Sequence, residues 1–201
     1  MNNRRPRRTK AEITEQIVKS ATKIIEDKGF NNLTVVGISH EAEIEPIVFY
    51  NRFNDLPGFI NEYVKSCDYW FSDIMTECKF VETNEEQYKA IIKTLFTSLQ
   101  ENKIMQELLR YEVSENNDIT QRTAKLREYH TLPLTQKYKN HFKDSPIDIE
   151  AVSALIIGGI YYLTLHKDLT PFSGIDINTK EGKEKISHAL EFLSDRLFGE
   201  K

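Results

Sequence analysis

Residues 34–53 read Thr-Val-Val-Gly-Ile-Ser-His-Glu-Ala-Glu-Ile-Glu-Pro-Ile-Val-Phe-Tyr-Asn-Arg-Phe, and their spacing decides the fold. Thr34 suits a helix N-cap, where its hydroxyl accepts from an unpaired first-turn N–H. Val35, Ile38 and Ala42 recur at three and four residues, one buried face over about 35–42. Glu43-Ile44-Glu45 breaks the run. Pro46 then opens a second helix, because the first helical position has no intrahelical acceptor for an N–H. Phe49 and Phe53, four apart, give that helix its inward face. Two short helices around a tight turn have the spacing of a helix-turn-helix, whose second helix can lie in a DNA major groove.

Upstream, Ile13, Ile17, Ala21, Ile24 and Ile25 form the stripe of a helix over about 11–28, and Gly29 supplies its stop. Downstream, eleven apolar residues from Leu56 to Cys78 predict a long buried helix over about 56–79. Cys67 and Cys78 are then ~16 Å apart along one axis and cannot pair there. They read as core thiols of a cytoplasmic protein. Further helices follow: one from Thr83-Asn84, one carrying Ile104, Met105, Leu108 and Leu109, and one carrying Ile119, Leu126 and Tyr129. Pro133 should kink or split the last of these. Residues 147–166 are apolar all round, which places that helix in the middle of something. A final helix over 180–198 has Ile186, Ala189, Leu190, Leu193 and Leu197 as its stripe. The fold class is therefore all-α. No apolar run reaches the ~18 residues of a membrane span, so no membrane partner is expected.

The net charge is −4 over 201 residues, but it is unevenly spread. Arg4, Arg5, Arg7, Arg8 and Lys10 stand in the first ten residues without an acid. A short basic arm on an acidic body is the asymmetry of an arm that tracks phosphates, or of a solubilising tail.

Gly29-Phe30, Thr34, Ile38, Ala42, Ile44 and Phe49-Tyr50-Asn51-Arg52-Phe53 resemble the N-terminal domain of TetR-type regulators, over roughly residues 11–60. The resemblance implies a DNA-binding domain over 1–55 and a helical effector-binding and dimerisation domain over 56–201. It implies contacts to double-stranded DNA from Arg4, Arg5, Arg7, Arg8, Thr34, Ile47, Val48, Tyr50, Asn51 and Arg52. It also implies a homodimer built on the last two long helices, with Gly158, Gly159, Tyr162, Leu190 and Leu193 at the interface. A helix buried within its own chain is the alternative for 147–166. The sequence departs from the family at the turn: Glu43 replaces a glycine, and Glu45, Ile47 and Val48 replace hydroxyl and small residues. Three carboxylates around that turn (Glu41, Glu43, Glu45) repel phosphates. A TetR-like small-molecule-binding protein whose helix-turn-helix no longer binds DNA is therefore the alternative function.

No residue set stands ready to run a reaction, so no enzyme, cofactor or metal is expected. His40-Glu41 opens like a zincin motif, but Ile44 stands where the second histidine belongs. Glu112 falls on the apolar face of its helix and needs a partner. That partner is a cation such as Arg110 or Arg127, or Glu112 is the polar anchor of a pocket lined by Trp70, Tyr111 and Tyr129. The implied function is a ligand-released repressor: a small-molecule effector shifts a homodimer away from its DNA-competent state.

Overall fold

The structure is a computed structural model and describes residues 8–67, 73–74, 76, 78 and 81–199. The chain divides into two compact units, Met1–Cys67 and Asp68–Lys201.

The N-terminal unit contains α1 (Lys10–Lys28), a 3-10 turn (Phe30–Asn32), α2 (Val35–Glu41), α3 (Pro46–Phe53) and α4 (Leu56–Cys67). Thr9 and Glu12 start α1 as a capping box: the Thr9 hydroxyl accepts from the Glu12 N–H, and the Glu12 carboxylate accepts from the Thr9 N–H at 2.6 Å. The Thr9 N–H first, and the Thr9 hydroxyl after it, hold the Glu12 carboxyl below its usual range. Gly29, at φ 79°, ends the helix and donates to the Ile25 carbonyl. Ile17, Ala21, Ile25, Ile38, Ala42 and Phe49 have no exposed surface and make the core.

This unit reaches Cys67 rather than ending at residue 55, for an aromatic reason. Phe59 of α4 packs on Phe49 and Phe53 with ring centroids 5.5 and 4.9 Å apart, and Tyr63 meets Phe30 edge-on. The Tyr63 hydroxyl shares a 2.7 Å hydrogen bond with Thr22 of α1, while burial pushes its phenol well above the ordinary value. The first part of α4 is thus the fourth wall of the N-terminal core. Most of 68–80, including Trp70 and Phe71 of the expected long stripe, lies outside the described residues. Cys67 is half-buried and Cys78 buried.

The second unit is built from α5 (Asn84–Glu101), α6 (Lys103–Ser114), α7 (Asp118–His141), α8 (Ile149–His166) and α9 (Lys180–Gly199). Side-chain caps start four of them: Thr83, Asn102, Asn117 and Asp148 each accept from a first-turn N–H. The α8 cap is Asp148, which accepts from the Ala151 N–H. Helix α5 is central, burying Tyr88, Ile91, Ile92, Leu95, Phe96 and Leu99.

Three expectations from periodicity are corrected here. Helix α7 runs unbroken through Pro133. The proline and Tyr129, whose carbonyl loses its helical donor, are both exposed, so water can take the bond. The buried residues of α7 are Thr120, Thr123, Arg127 and Tyr138, whereas Leu126 and Tyr129 are exposed. A polar face is buried because its groups find partners, which apolar spacing does not register. Finally, α8 is not enclosed. By length and composition it is apolar enough to cross a membrane, contrary to the reading by uninterrupted runs, and only 17% of it is buried. Ile160 and Thr164 face inward, and Leu155 (78%) and Tyr162 (49%) are exposed.

Candidate nucleic-acid interface and internal cavity

Thr34 caps α2 as its spacing predicts, accepting from the Gly37 N–H at 2.9 Å. Phe49 and Phe53 anchor α3 in the core. Helix α3 therefore shows its other side to solvent: Ile47 is 63% exposed, Tyr50 and Asn51 are exposed, and Val48 and Arg52 are half-buried. On α2 the sequence reading missed Val36, an exposed valine beside the cap. Its signal was its position off the Val35–Ile38–Ala42 stripe. Val36, Ile47 and Tyr50 present apolar surface that buries nothing in this unit.

The turn carries the strain that its sequence implies. Glu43 sits at φ 52°, in the left-handed region, at a cost of about 1 kcal/mol against glycine. Glu45 is the N-cap of α3 but makes no side-chain capping bond. Two of the three turn carboxylates nevertheless have cation partners. The Lys23 ammonium of α1 contacts Glu41, raising the lysine and lowering the carboxyl through their shared hydrogen bond. Arg8 donates to the Ala42 carbonyl at 3.2 Å and lies 3.8 Å from Glu43. Arg8, expected with the phosphate-tracking arm, is thus turned onto the helix-turn-helix itself. Arg4, Arg5 and Arg7 lie outside the described residues.

Glu43→Gly should stabilise the N-terminal unit by about 1 kcal/mol, since the glycine relieves the positive φ and the pair it loses is exposed and weak. Urea denaturation of the variant checks this. An unchanged midpoint would mean that the turn is relaxed.

The second unit holds a cavity of about 540 Å³ between α5, α7 and α8, open to solvent where Glu128, Glu150, Ala154 and Gly158 are exposed. Ile91, Ile92 and Leu95 of α5 and Ile149 and Ile157 of α8 supply apolar wall, and Leu134 of α7 faces them. Tyr88, Tyr138 and Tyr161 add aromatic surface. Tyr88 shares a 3.0 Å hydrogen bond with Ser153 and meets Tyr138 edge-on at 5.2 Å. Burial raises both phenols, so they stay neutral.

Of the expected pocket residues, none that is described lines this cavity. Tyr129 is 68% exposed. The Tyr111 hydroxyl accepts from Asn117 at 3.0 Å, holding the α6–α7 corner. Glu112 accepts two hydrogen bonds from Arg127, at 2.7 and 2.9 Å, with each side chain about 10% exposed. The ion-pair reading of Glu112 is the one that the geometry supports. Trp70 lies outside the described residues. The lining was missed because it draws single positions from three helices far apart in sequence.

The residues expected at a dimer interface divide similarly. Gly158, Gly159 and Tyr162 are exposed on α8, and a Cβ added at either glycine meets nothing within 4 Å. Leu193 is exposed on α9, with Phe192 beside it. Leu190 is buried in its own unit, together with Ser194 and Leu197, and is not available to a partner.

No family model and no curated protein matches this sequence. Solved structures do. A TetR-like transcriptional regulator from Rhodococcus sp. RHA1 aligns with a TM-score of 0.68 at 14% identity, covering 97% of this chain and 100% of that one. The fatty acid degradation regulator FadR from Bacillus halodurans aligns with a TM-score of 0.67 at 14% identity, over 90% of this chain and 97% of its own. The chain has the TetR-type fold. FadR from Bacillus subtilis, solved in complex with stearoyl-CoA, aligns as well, with a TM-score of 0.67 at 15% identity over 90% and 97%. In TetR-type terms, α2 and α3 are the helix-turn-helix and α5–α9 the helical body.

Proposed function

We propose that this chain is a DNA-binding transcriptional regulator, a homodimeric repressor that a small molecule releases from a pseudo-palindromic operator. Residues 1–55 bind DNA, and 56–201 bind the effector and the second copy. The observation that carries the reading is the exposed surface of α2 and α3: Val36, Ile47, Tyr50 and Asn51 are presented outward by a helix pair whose other side is fully buried. Apolar side chains in a major groove meet thymine methyl groups but donate to no base edge. The operator is therefore A·T-rich and modestly discriminated. Selection from random duplex DNA tests this, and a G·C-rich consensus, or no enrichment at low salt, would overturn it.

The homodimer is supported by α8. Its exposed apolar surface is more than a solvated helix carries, and a second copy is the covering that the TetR-type fold suggests. At Gly159→Leu the added Cβ meets nothing within 4 Å in its own chain, so loss of the dimer by a folded variant reports on a partner. Sedimentation should show the dimer weakened at least tenfold by overpacking. An unaltered dimer would remove this glycine from the interface.

The effector site is the cavity between α5, α7 and α8. One structural neighbour holds stearoyl-CoA, and the apolar walls here suit an elongated apolar ligand. A second reading, a ligand-binding protein that has lost its operator, is favoured by the strained Glu43 and the uncapped α3. Absence of DNA binding with ligand binding intact would select it. Both readings describe a binding protein that works in the cytoplasm and runs no reaction.

A further inference from the structure

The charges around the cavity select the head group of its ligand. Three side chains of charged type line it: Arg127, Glu128 and Glu150. Arg127 is committed first to Glu112. Its guanidinium already holds both Glu112 oxygens in a nearly buried pair. An anionic ligand that drew it away would strand Glu112 as a buried carboxylate, which costs more than the new pair returns. Glu150 is held by Lys139 at 2.8 Å, roughly 16 Å further along α7 than Glu128. Glu128 is different: among the described residues, no lysine or arginine nitrogen lies within ion-pair distance of its carboxylate. The rest of the wall is isoleucine, leucine, hydroxyl groups and tyrosine rings, whose faces attract cations. One of these rings already carries a cation outside the cavity: the Lys137 ammonium sits 5.9 Å from the Tyr138 centroid.

We propose that the cavity takes a monocationic amphiphile, a hydrophobic amine or alkylammonium, with its nitrogen at Glu128 and its apolar body against Ile91, Leu95 and Ile157. This rests on the reading of the cavity as the effector site and names the chemical class it accepts. The ligand shares an apolar body with the stearoyl-CoA of the Bacillus subtilis neighbour but carries the opposite charge.

Isothermal titration calorimetry on the full chain tests it. The probes are decyltrimethylammonium, decanol, decanoate and decanoyl-CoA, each below its micellar concentration. Decyltrimethylammonium should bind at least tenfold more tightly than the other three. Glu128→Gln, checked by circular dichroism for an intact fold, should weaken the cation at least tenfold and leave decanol within twofold. Glu150→Gln should change either by less than twofold. Ala124→Trp, which fills the α7 side of the cavity, should abolish binding of all ligands. Preference for decanoate or decanoyl-CoA would overturn the cationic class while keeping the cavity as the effector site. Full cation affinity in Glu128→Gln would overturn the placement of the nitrogen. Failure of all four probes would overturn both the class and the cavity. Selection of operator DNA reads the regulator function separately from all these outcomes.

Discussion

Glu112→Ala should lower the stability of the chain by about 3 kcal/mol, because it leaves the charge of a buried pair unmatched. The pair it breaks is bidentate, 2.7 and 2.9 Å, and both side chains are about 10% exposed, so solvent screening offers little relief. Removing the carboxylate leaves a guanidinium charge inside the α6–α7 contact without the oxygens that matched it. Replacing both members by residues of similar volume, Glu112→Leu with Arg127→Met, should recover most of the loss, because well-packed apolar groups substitute for a buried ion pair at little net cost. Urea denaturation followed by circular dichroism measures all three proteins. A single variant within about 0.5 kcal/mol of wild type, the range of surface substitutions, would show that water reaches the pair.

Deleting residues 2–7 should weaken operator binding by roughly a hundredfold at low salt and flatten its salt dependence by ~0.9 for each arginine that sat on a phosphate. Arg4, Arg5 and Arg7 are removed, whereas Arg8 and Thr9 must stay. Thr9 caps α1 through two hydrogen bonds, and Arg8 braces the turn at Ala42 and Glu43. A cut through these two residues would confound loss of charge with loss of the N-terminal fold. The truncation should leave thermal stability and dimerisation nearly unchanged. The arm is needed because the helix-turn-helix supplies little positive charge of its own: Lys23 and Arg8 are engaged by Glu41 and Glu43. Equal affinity and equal salt slope for the truncated chain would end this role for the arm. Glu12 adds a pH signature to the same region. Its folded-state carboxyl is lowered by Thr9, so the cap contributes fully above the ordinary carboxylate value and is lost as pH falls from there through the lowered one.

The sequence by itself determined the elements and the reading of the N-terminal motif. Thr34, Pro46 and Gly29 act through bonds to residues within four positions, and Phe49 and Phe53 share a face because 3.6 residues make a turn. The strain at Glu43 was legible through the resemblance alone, which puts a glycine at that place. What periodicity cannot tell is which face of a helix meets a neighbour. Helix α7 buries Arg127 and exposes Tyr129 because Glu112, fifteen residues earlier on another helix, supplies the matching carboxylate. Leu190 turns inward and Leu193 outward on one stripe because α5 lies on one side only. The cavity exists only where α5, α7 and α8 fail to close on one another, and its lining is a product of that gap. Local hydrogen bonding and helical geometry are fixed within a few residues of chain, so sequence displays them. Burial and charge pairing are sums over neighbours brought from far along the chain, and only the packed structure supplies those neighbours.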